Sequence, residues 1–331
     1  VFQLRPEYCL PLRNEPIDEK TQKEIKANYP NFFKKCKESF GSFLHNFDER
    51  SALDHSEEER IEFYETLYKK RGFSLWLGNF HDYLTNQEAN DSVSEFVRNK
   101  IRAQVDDPKT AEKLCPKDHG FGTRRVPMES GYYKAYNQSN VELVDISETP
   151  IKQITEVGIE TSDSEYELDL IIYATGFDAI TGAFKKIDII GKEGISLKEK
   201  WSDGPSTYLG IQTTGFPNMF TLVGPHNGAT FCNIPRCIEQ NVEWVTDCIS
   251  HLNQKNISII EPSQEAEDEW TEHVYKVAEP SLLAKTDSWF VGANIPGKKR
   301  TFLMYAGGSP AYREKCDQVA ANNYDGFKLS S

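Results

Sequence analysis

Arg124 and Arg125 are the residues whose chemistry is easiest to name. They follow the loop Gly120-Phe121-Gly122-Thr123 and precede Val126-Pro127. A guanidinium keeps its charge and donates several hydrogen bonds, so two in a row suit a phosphate or an anionic intermediate. A solvated basic pair is the alternative. Gly224-Pro225-His226-Asn227-Gly228-Ala229-Thr230 lies between an apolar run and a helical pattern. Strand, glycine-rich loop and helix in that order aim the first N–H groups of the helix at an anion or a polar ring edge. The loop matches neither G-x-G-x-x-G nor a Walker pattern, and His226 reads as a surface loop histidine. Gly292-Ala293-Asn294-Ile295-Pro296-Gly297-Lys298 comes just after Ser288-Trp289. There Trp289 would stack on a flat ring while Lys298 meets a phosphate. A tight turn with a packed Trp is the alternative reading. No Ser/His/Asp arrangement is supported.

These groups need elements to hold them. Leu168 to Asp178 reads as a buried central strand, with Leu170, Ile171 and Ile172 as its apolar run. Thr175 and Gly176 close it, and Gly lets a ligand approach the backbone. Ligands of open α/β sheets collect at the carboxyl ends of the strands, so Ala174 to Asp178 is an expected cofactor edge. A plain turn after a core strand is the other reading. Val1 to Gln3 is strand-like. Between Glu15 and Ala111 apolar residues recur at helical spacing in three sets: Phe32 to Phe43, Ile61 to Tyr68, and Val93 to Val105. Asp107-Pro108 caps a further short helix through Leu114. Val141 to Asp145 alternates as a strand, and Ile151–Ile154 with Val157–Glu160 suggests a hairpin. Ile187–Ile190, Leu209–Thr213 and Met219–Val223 read as strands, with a turn at Phe216-Pro217-Asn218. Ile238 to Leu252 is a helix with Ile238, Val242, Val245, Ile249 and Leu252 on one face, and a second helix runs from about Ser263 to Ala278. The tail from Ser288 is loop-like, then strand-like through Thr301 to Tyr305.

Composition narrows the class. The chain has 331 residues, enough for two or three domains. Its net charge of −13 argues against a nucleic-acid backbone as partner. No apolar run is long enough to span a bilayer. The seven cysteines are odd in number, scattered and without a C-x-x-C pair. A zinc site and a disulfide scaffold are therefore disfavoured, and a reducing, cytoplasmic setting fits. The first residue is Val1 and the strand pattern is already under way, so the chain is expected to continue upstream.

In order, these motifs resemble the type I Baeyer–Villiger monooxygenases, flavoproteins related to the flavin-containing monooxygenases. The resemblance rests on Val1-Phe2-Gln3, Phe121 to Arg125, Gly131-Tyr132-Tyr133 with Asn137 and Asn140, Ala174 to Asp178, Trp201 with Gly204-Pro205, Gly215 to Asn218, Gly224-Pro225, Ile238-Glu239-Gln240 with Glu243-Trp244, Ser288-Trp289 with Gly292 to Lys298, and Tyr305 to Gly308. It covers nearly the whole chain. It implies an α/β, Rossmann-like fold with FAD and NADP domains and an α-helical insertion. It also implies oxygenation of a ketone, or another small organic substrate, to an ester or lactone with O2, FAD and NADPH, by a protein that is a monomer. Arg125 would be the active-site arginine that stabilises a deprotonated flavin peroxide, since a fixed cation in a dry site favours the anion. Arg124 would lie near the 2′-phosphate of NADPH. Ala174, Thr175, Gly176, Phe177, Asn233 and Lys298 would contact cofactor, and Trp289 would close over the nicotinamide.

The departures from the family pattern are specific. Leu4-Arg5-Pro6 stands where the family has Arg-Thr-Pro, so Arg5 is the candidate substitute for the phosphate contact. Neither of the family's two G-x-G-x-x-G motifs is present, nor its Phe-x-Gly fingerprint or active-site Asp. A flavin-binding half and the first half of an NADPH domain need on the order of 200 residues. The expected organisation is a C-terminal portion: residues 1–11 and 121–170 from the NADPH domain, 12–120 a helical insertion, and 171–331 from the FAD domain. Two other readings stay open: an N- or S-oxygenating flavin monooxygenase, and an inactive truncated remnant.

Overall fold

The helices form where local chemistry starts them. Asp107 accepts from the N–H of Thr110 at 2.9 Å, and Pro108 opens the helix Pro108–Leu114. Ser56 and Glu59 make a reciprocal capping box at the start of Glu57–Tyr68. Ser263 caps Gln264–Ala278 through the N–H of Ala266. A computed structural model describes residues 1–228 and 232–331, and its fold is mixed α/β. No described helix is long and apolar enough to cross a membrane.

The chain forms two compact units. One contains Val1–Asn14, Arg50–Trp76 and Asp82–Phe177; the other contains Glu15–Glu49, Leu77–His81 and Asp178–Ser331. Residues 12–120 contribute to both.

In the first unit, Phe2–Gln3 pairs in parallel with Val144–Asp145, and Leu10–Pro11 with Met128–Glu129. The expected hairpin is present as Ile151–Ile154 against Gly158–Thr161, with Glu165–Glu167 as a third antiparallel strand. The helix Gln87–Arg102 buries Val93, Phe96, Val97 and Ile101, as its spacing predicts. Around it lies an aromatic core. Tyr8 meets Phe121 edge to face at 5.7 Å, Tyr64 meets Phe96 at 5.4 Å, and Trp76, Tyr83 and Phe121 are fully buried. Each such side chain contributes about 1.5–3 kcal/mol by leaving water.

In the second unit, the helix Ile234–Gln254 is the longest described element, and Ile259–Pro262 pairs antiparallel with Phe327–Ser330. Leu197, Trp201 and Phe216 form a buried cluster, with Phe184, Ile189 and Met219 against it.

Several expectations fail for physical reasons. Leu168 to Asp178 is not a buried strand. It runs without strand pairing, and Leu170, Ile172 and Phe177 are 75%, 81% and 88% exposed. An apolar run becomes a central strand only when neighbours take up its N–H and C=O groups, and no described strand does so here. Leu209 to Thr213 is buried but turns, because Leu209 and Gly210 take positive φ of 55° and 63°. Gly210 is required there, since a Cβ would come within 2.4 Å of the Cβ of Asn227. Met219 to Val223 and Thr301 to Tyr305 form no strand, and Ile187 to Ile190 keeps only an isolated bridge from Ile190 to Ser196. The helix Tyr29–Glu38 ends before Phe40 and Phe43. The tail holds a helix, Ser309–Ala321, which the pattern did not announce. Helix Ile234–Gln254 buries Cys237, Asn241, Trp244, Cys248 and Leu252, while Ile238, Val242 and Ile249 face outward. The sulfurs of Cys232 and Cys237 are brought into contact, where the sequence disfavoured a disulfide scaffold. Cys9, Cys36, Cys115, Cys248 and Cys316 are free.

Candidate active site

Gly122 sets the position of the arginine pair. Its φ of +77° suits a residue without a side chain, and a Cβ there would come within 2.9 Å of the Tyr83 hydroxyl and 3.0 Å of Trp76 Cδ1. The chain therefore runs tight against Trp76 three residues before Arg125. The guanidinium carbon of Arg125 lies 4.6 Å from the Trp76 ring centre and 4.8 Å from that of Phe73. Burial is the only cause that perturbs this group, and it lowers the pKa from the ordinary arginine value. The group remains charged at any physiological pH. Its Nη1 is buried with no hydrogen-bond partner among the described residues. A half-buried cation with an unfilled donor and no acidic neighbour among the described residues calls for a negative ligand.

Arg124 points to different company. Its Nη1 donates to Glu7 at 2.9 Å and its Nη2 to Asp118 at 3.0 Å, and only 11% of its side chain is exposed. His119 bridges the same carboxylates, with Nε2 3.1 Å from Glu7 and Nδ1 2.7 Å from Asp118. Burial pushes the Asp118 carboxyl up, but the hydrogen bond from His119 and the charge of Arg124 outweigh it and hold it below the usual range. A phosphate brought to Arg124 would meet two carboxylates already there. Arg5 is exposed, and no ion pair holds it among the described residues.

In the second unit the glycine-rich loop after the apolar run is buried, not superficial. His226, at φ +62°, is 0% exposed, with Nδ1 3.3 Å from the Thr207 hydroxyl. Burial pushes its pKa down to about 4, so the ring is neutral near pH 7. This corrects the expectation of a surface histidine. His226 Nε2 and Asn227 Oδ1 are buried without partners among the described residues. Ala229 and Thr230, in the same expected cofactor loop, lie outside the described residues. Asn233 stands at the start of the helix Ile234–Gln254: its carbonyl accepts from Arg236 and Cys237, its N–H donates to Gly41 O at 2.7 Å, and its side chain makes no cap bond. Trp289 is half-buried and opens the turn Trp289–Val291, its ring 4.4 Å from Phe290. Lys298 is buried and paired with Asp178, its stem lying over Gly292. Ala174, Thr175, Gly176 and Phe177 lie in the exposed segment of the first unit.

Sequence reasoning missed Phe73, Trp76, Glu7, Asp118 and the burial of His226. The i, i+3 spacing of Phe73 and Trp76 was visible as an aromatic pair on a short helical turn. Nothing local tied it to residue 125.

No family model matches the chain. It is 47% identical over all its length to the 2-oxo-Δ3-4,5,5-trimethylcyclopentenylacetyl-CoA monooxygenase of Pseudomonas putida, covering 61% of that protein. It is 41% identical over its full length to the cyclopentanone 1,2-monooxygenase of Comamonas sp., covering 60% of it. A crystal structure of OTEMO with FAD and NADP superposes with a TM-score of 0.96 at 47% identity, over 99% of this chain and 61% of that one. The homologues of this chain, at 40–47% identity over essentially the whole of it, are Baeyer–Villiger monooxygenases. The chain spans about three-fifths of the length of these relatives.

Proposed function

We propose that this chain is part of an FAD- and NADPH-dependent monooxygenase that inserts one oxygen atom of O2 beside a ketone carbonyl, giving an ester or lactone. The observation that carries the reading is Arg125: charged and half-buried, with a buried donor unfilled and no carboxylate beside it among the described residues. When bound, the flavin supplies oxygen activation and the nicotinamide supplies the hydride. The residues present fit such groups. His226 Nε2 and Asn227 Oδ1 are orphaned buried polar atoms in the loop that leads to the helix at Ile234. At that helix start Pro235 has no N–H, and the N–H groups of Arg236 and Cys237 already donate to Asn233 O at 2.9 and 3.1 Å, so the fit rests on the orphaned loop atoms rather than on the helix N-terminus. Arg5 supplies the unpaired cation for a 2′-phosphate, because Arg124 is committed to Glu7 and Asp118. Arg125 holds its charge where negative charge develops during attack on the carbonyl carbon, which lowers that barrier. Ketone chemistry is favoured over oxygenation of a soft nitrogen or sulfur because attack on a carbonyl builds an anion that such a cation stabilises.

The remaining two-fifths of the relatives' length is needed for activity in this reading, so the test uses the flavin-loaded full-length protein. Arg125→Ala is expected to bind FAD and accept hydride from NADPH, yet to lose two to three powers of ten in ester formation. Electrons then appear as hydrogen peroxide. Normal ester yield per NADPH in Arg125→Ala would refute the assignment.

A further inference from the structure

Arg125 is held by rings. Phe73 and Trp76 meet edge to face, 5.2 Å apart with their planes at 72°, and so make two walls of a corner. The guanidinium lies within 5 Å of both ring centres. The corner is itself fixed. Trp76 is fully buried, the Tyr83 hydroxyl donates to the Trp76 carbonyl at 2.6 Å, and Gly122 lets the following loop run against the indole.

We propose that Phe73 and Trp76 are positioning residues for Arg125, an aromatic seat that fixes the guanidinium without neutralising it. The proposal rests on the reading of Arg125 given above. A carboxylate would orient the side chain equally well, as Glu7 and Asp118 orient Arg124, but it would cancel the charge. The negative face of an aromatic ring attracts a cation through its quadrupole and carries no net charge of its own. Arg suits this seat better than Lys, because its flat, weakly hydrated group stacks. The two adjacent arginines thus show two ways to hold a cation, one compensated and one left available. The seat also leaves Nη1 free, as a donor awaiting a negative partner.

The test compares Trp76→Leu, Trp76→Phe and Phe73→Leu. In the 331-residue chain, the Nε–Hε resonance of Arg125, assigned by its loss in Arg125→Lys, is expected to be displaced by the ring currents. It should return toward the value of a solvent-exposed arginine in Trp76→Leu and stay displaced in Trp76→Phe. Mass spectrometry after phenylglyoxal treatment should show Arg125 modified several times faster in Trp76→Leu. In the flavin-loaded full-length protein, Trp76→Leu is expected to lower ester yield per NADPH by one to two powers of ten, the scale of a misplaced group. The rate of flavin reduction should change little, and Trp76→Phe should restore coupling. If Trp76→Leu fails to fold by circular dichroism, Phe73→Leu carries the same expectations. An undisplaced Arg125 resonance in the wild type, or full coupling in a folded Leu variant with Arg125 released, overturns the seat while leaving the role of Arg125 standing. Normal ester yield in Arg125→Ala overturns that role whatever the resonance shows.

Discussion

Two neighbouring arginines of one type end in opposite electrostatic states, and the difference comes from what the fold brings to each. Arg124, itself nearly buried, meets the partly exposed carboxylates of Glu7 and Asp118, with His119 closing the group. Removing it leaves two carboxylates facing each other across a histidine, an arrangement that costs stability. Arg124→Ala is expected to lose about 1 kcal/mol, since solvent screens the two partly exposed carboxylates, read as a lower melting temperature. Arg124→Lys should recover only part of it, because an ammonium lacks the fork that reaches two carboxylates. An unchanged melting temperature would show that the cluster contributes nothing to the fold. Raised KM for NADPH with unchanged stability would return Arg124 to the phosphate role implied by family resemblance. Arg5→Ala is the companion: exposed, it should leave stability alone and raise the KM.

At the scale of elements, the loop Gly224 to Gly228 stores a pH dependence. His226 has its pKa pushed from 6.5 to about 4 by burial. As pH falls below 6.5 the unfolded chain takes up a proton that the folded one refuses, so stability is lost on the way down to pH 4. At about 1.4 kcal/mol per unit, that loss approaches about 3 kcal/mol. Urea unfolding of wild type and His226→Gln at a series of pH values checks it: the gap should change by that amount between pH 7 and 4. His273, also pushed down by burial and by Lys315 and Lys276, is present in both proteins and cancels. A gap independent of pH would mean that His226 is not buried neutral. The same loop shows what a sequence does and does not expose. Helices such as Pro108–Leu114 and Gln264–Ala278 were legible because caps and 3.6-residue spacing are local signals. Leu209 to Thr213 was misread because hydrophobicity reports burial, and here two positive φ angles turn a buried chain. Leu168 to Asp178 finds no strand partner among the described residues of this chain, which spans about three-fifths of its relatives' length, and periodicity alone does not supply one. Arg125 was legible only through resemblance. Its seat lies some fifty residues back in the chain, at Phe73 and Trp76, with no local mark.

For the whole molecule, the informative feature is an apolar surface that one unit leaves uncovered. On Ile234–Gln254, residues Ile234, Ile238, Val242, Val245 and Ile249 fall within an arc of about 80° at about 100° per residue. Ile234, Ile238, Val242 and Ile249 are 40–46% exposed. The sequence pattern marks this stripe for burial, and the second unit's own core takes the neighbouring face instead. The relatives extend well beyond the length this chain spans, and solved relatives hold FAD and NADP. We propose that the cover is a portion of a full-length protein outside this chain. Half-exposed aliphatic side chains gain on the order of 1 kcal/mol each when covered. Replacing two of them with charge should thus weaken that association at least tenfold. The measurement is binding of the separately produced remainder of the full-length protein to this chain, wild type against Ile238→Asp/Val242→Asp. Both positions are outward-facing, so circular dichroism and melting temperature should be unchanged. Equal binding by both forms would sink the idea. A large loss of melting temperature in the variant would mean that the stripe is already internal. Concentration-dependent self-association of the wild-type chain, abolished by the two substitutions and unaffected by the remainder, would name a second copy as the occupant instead.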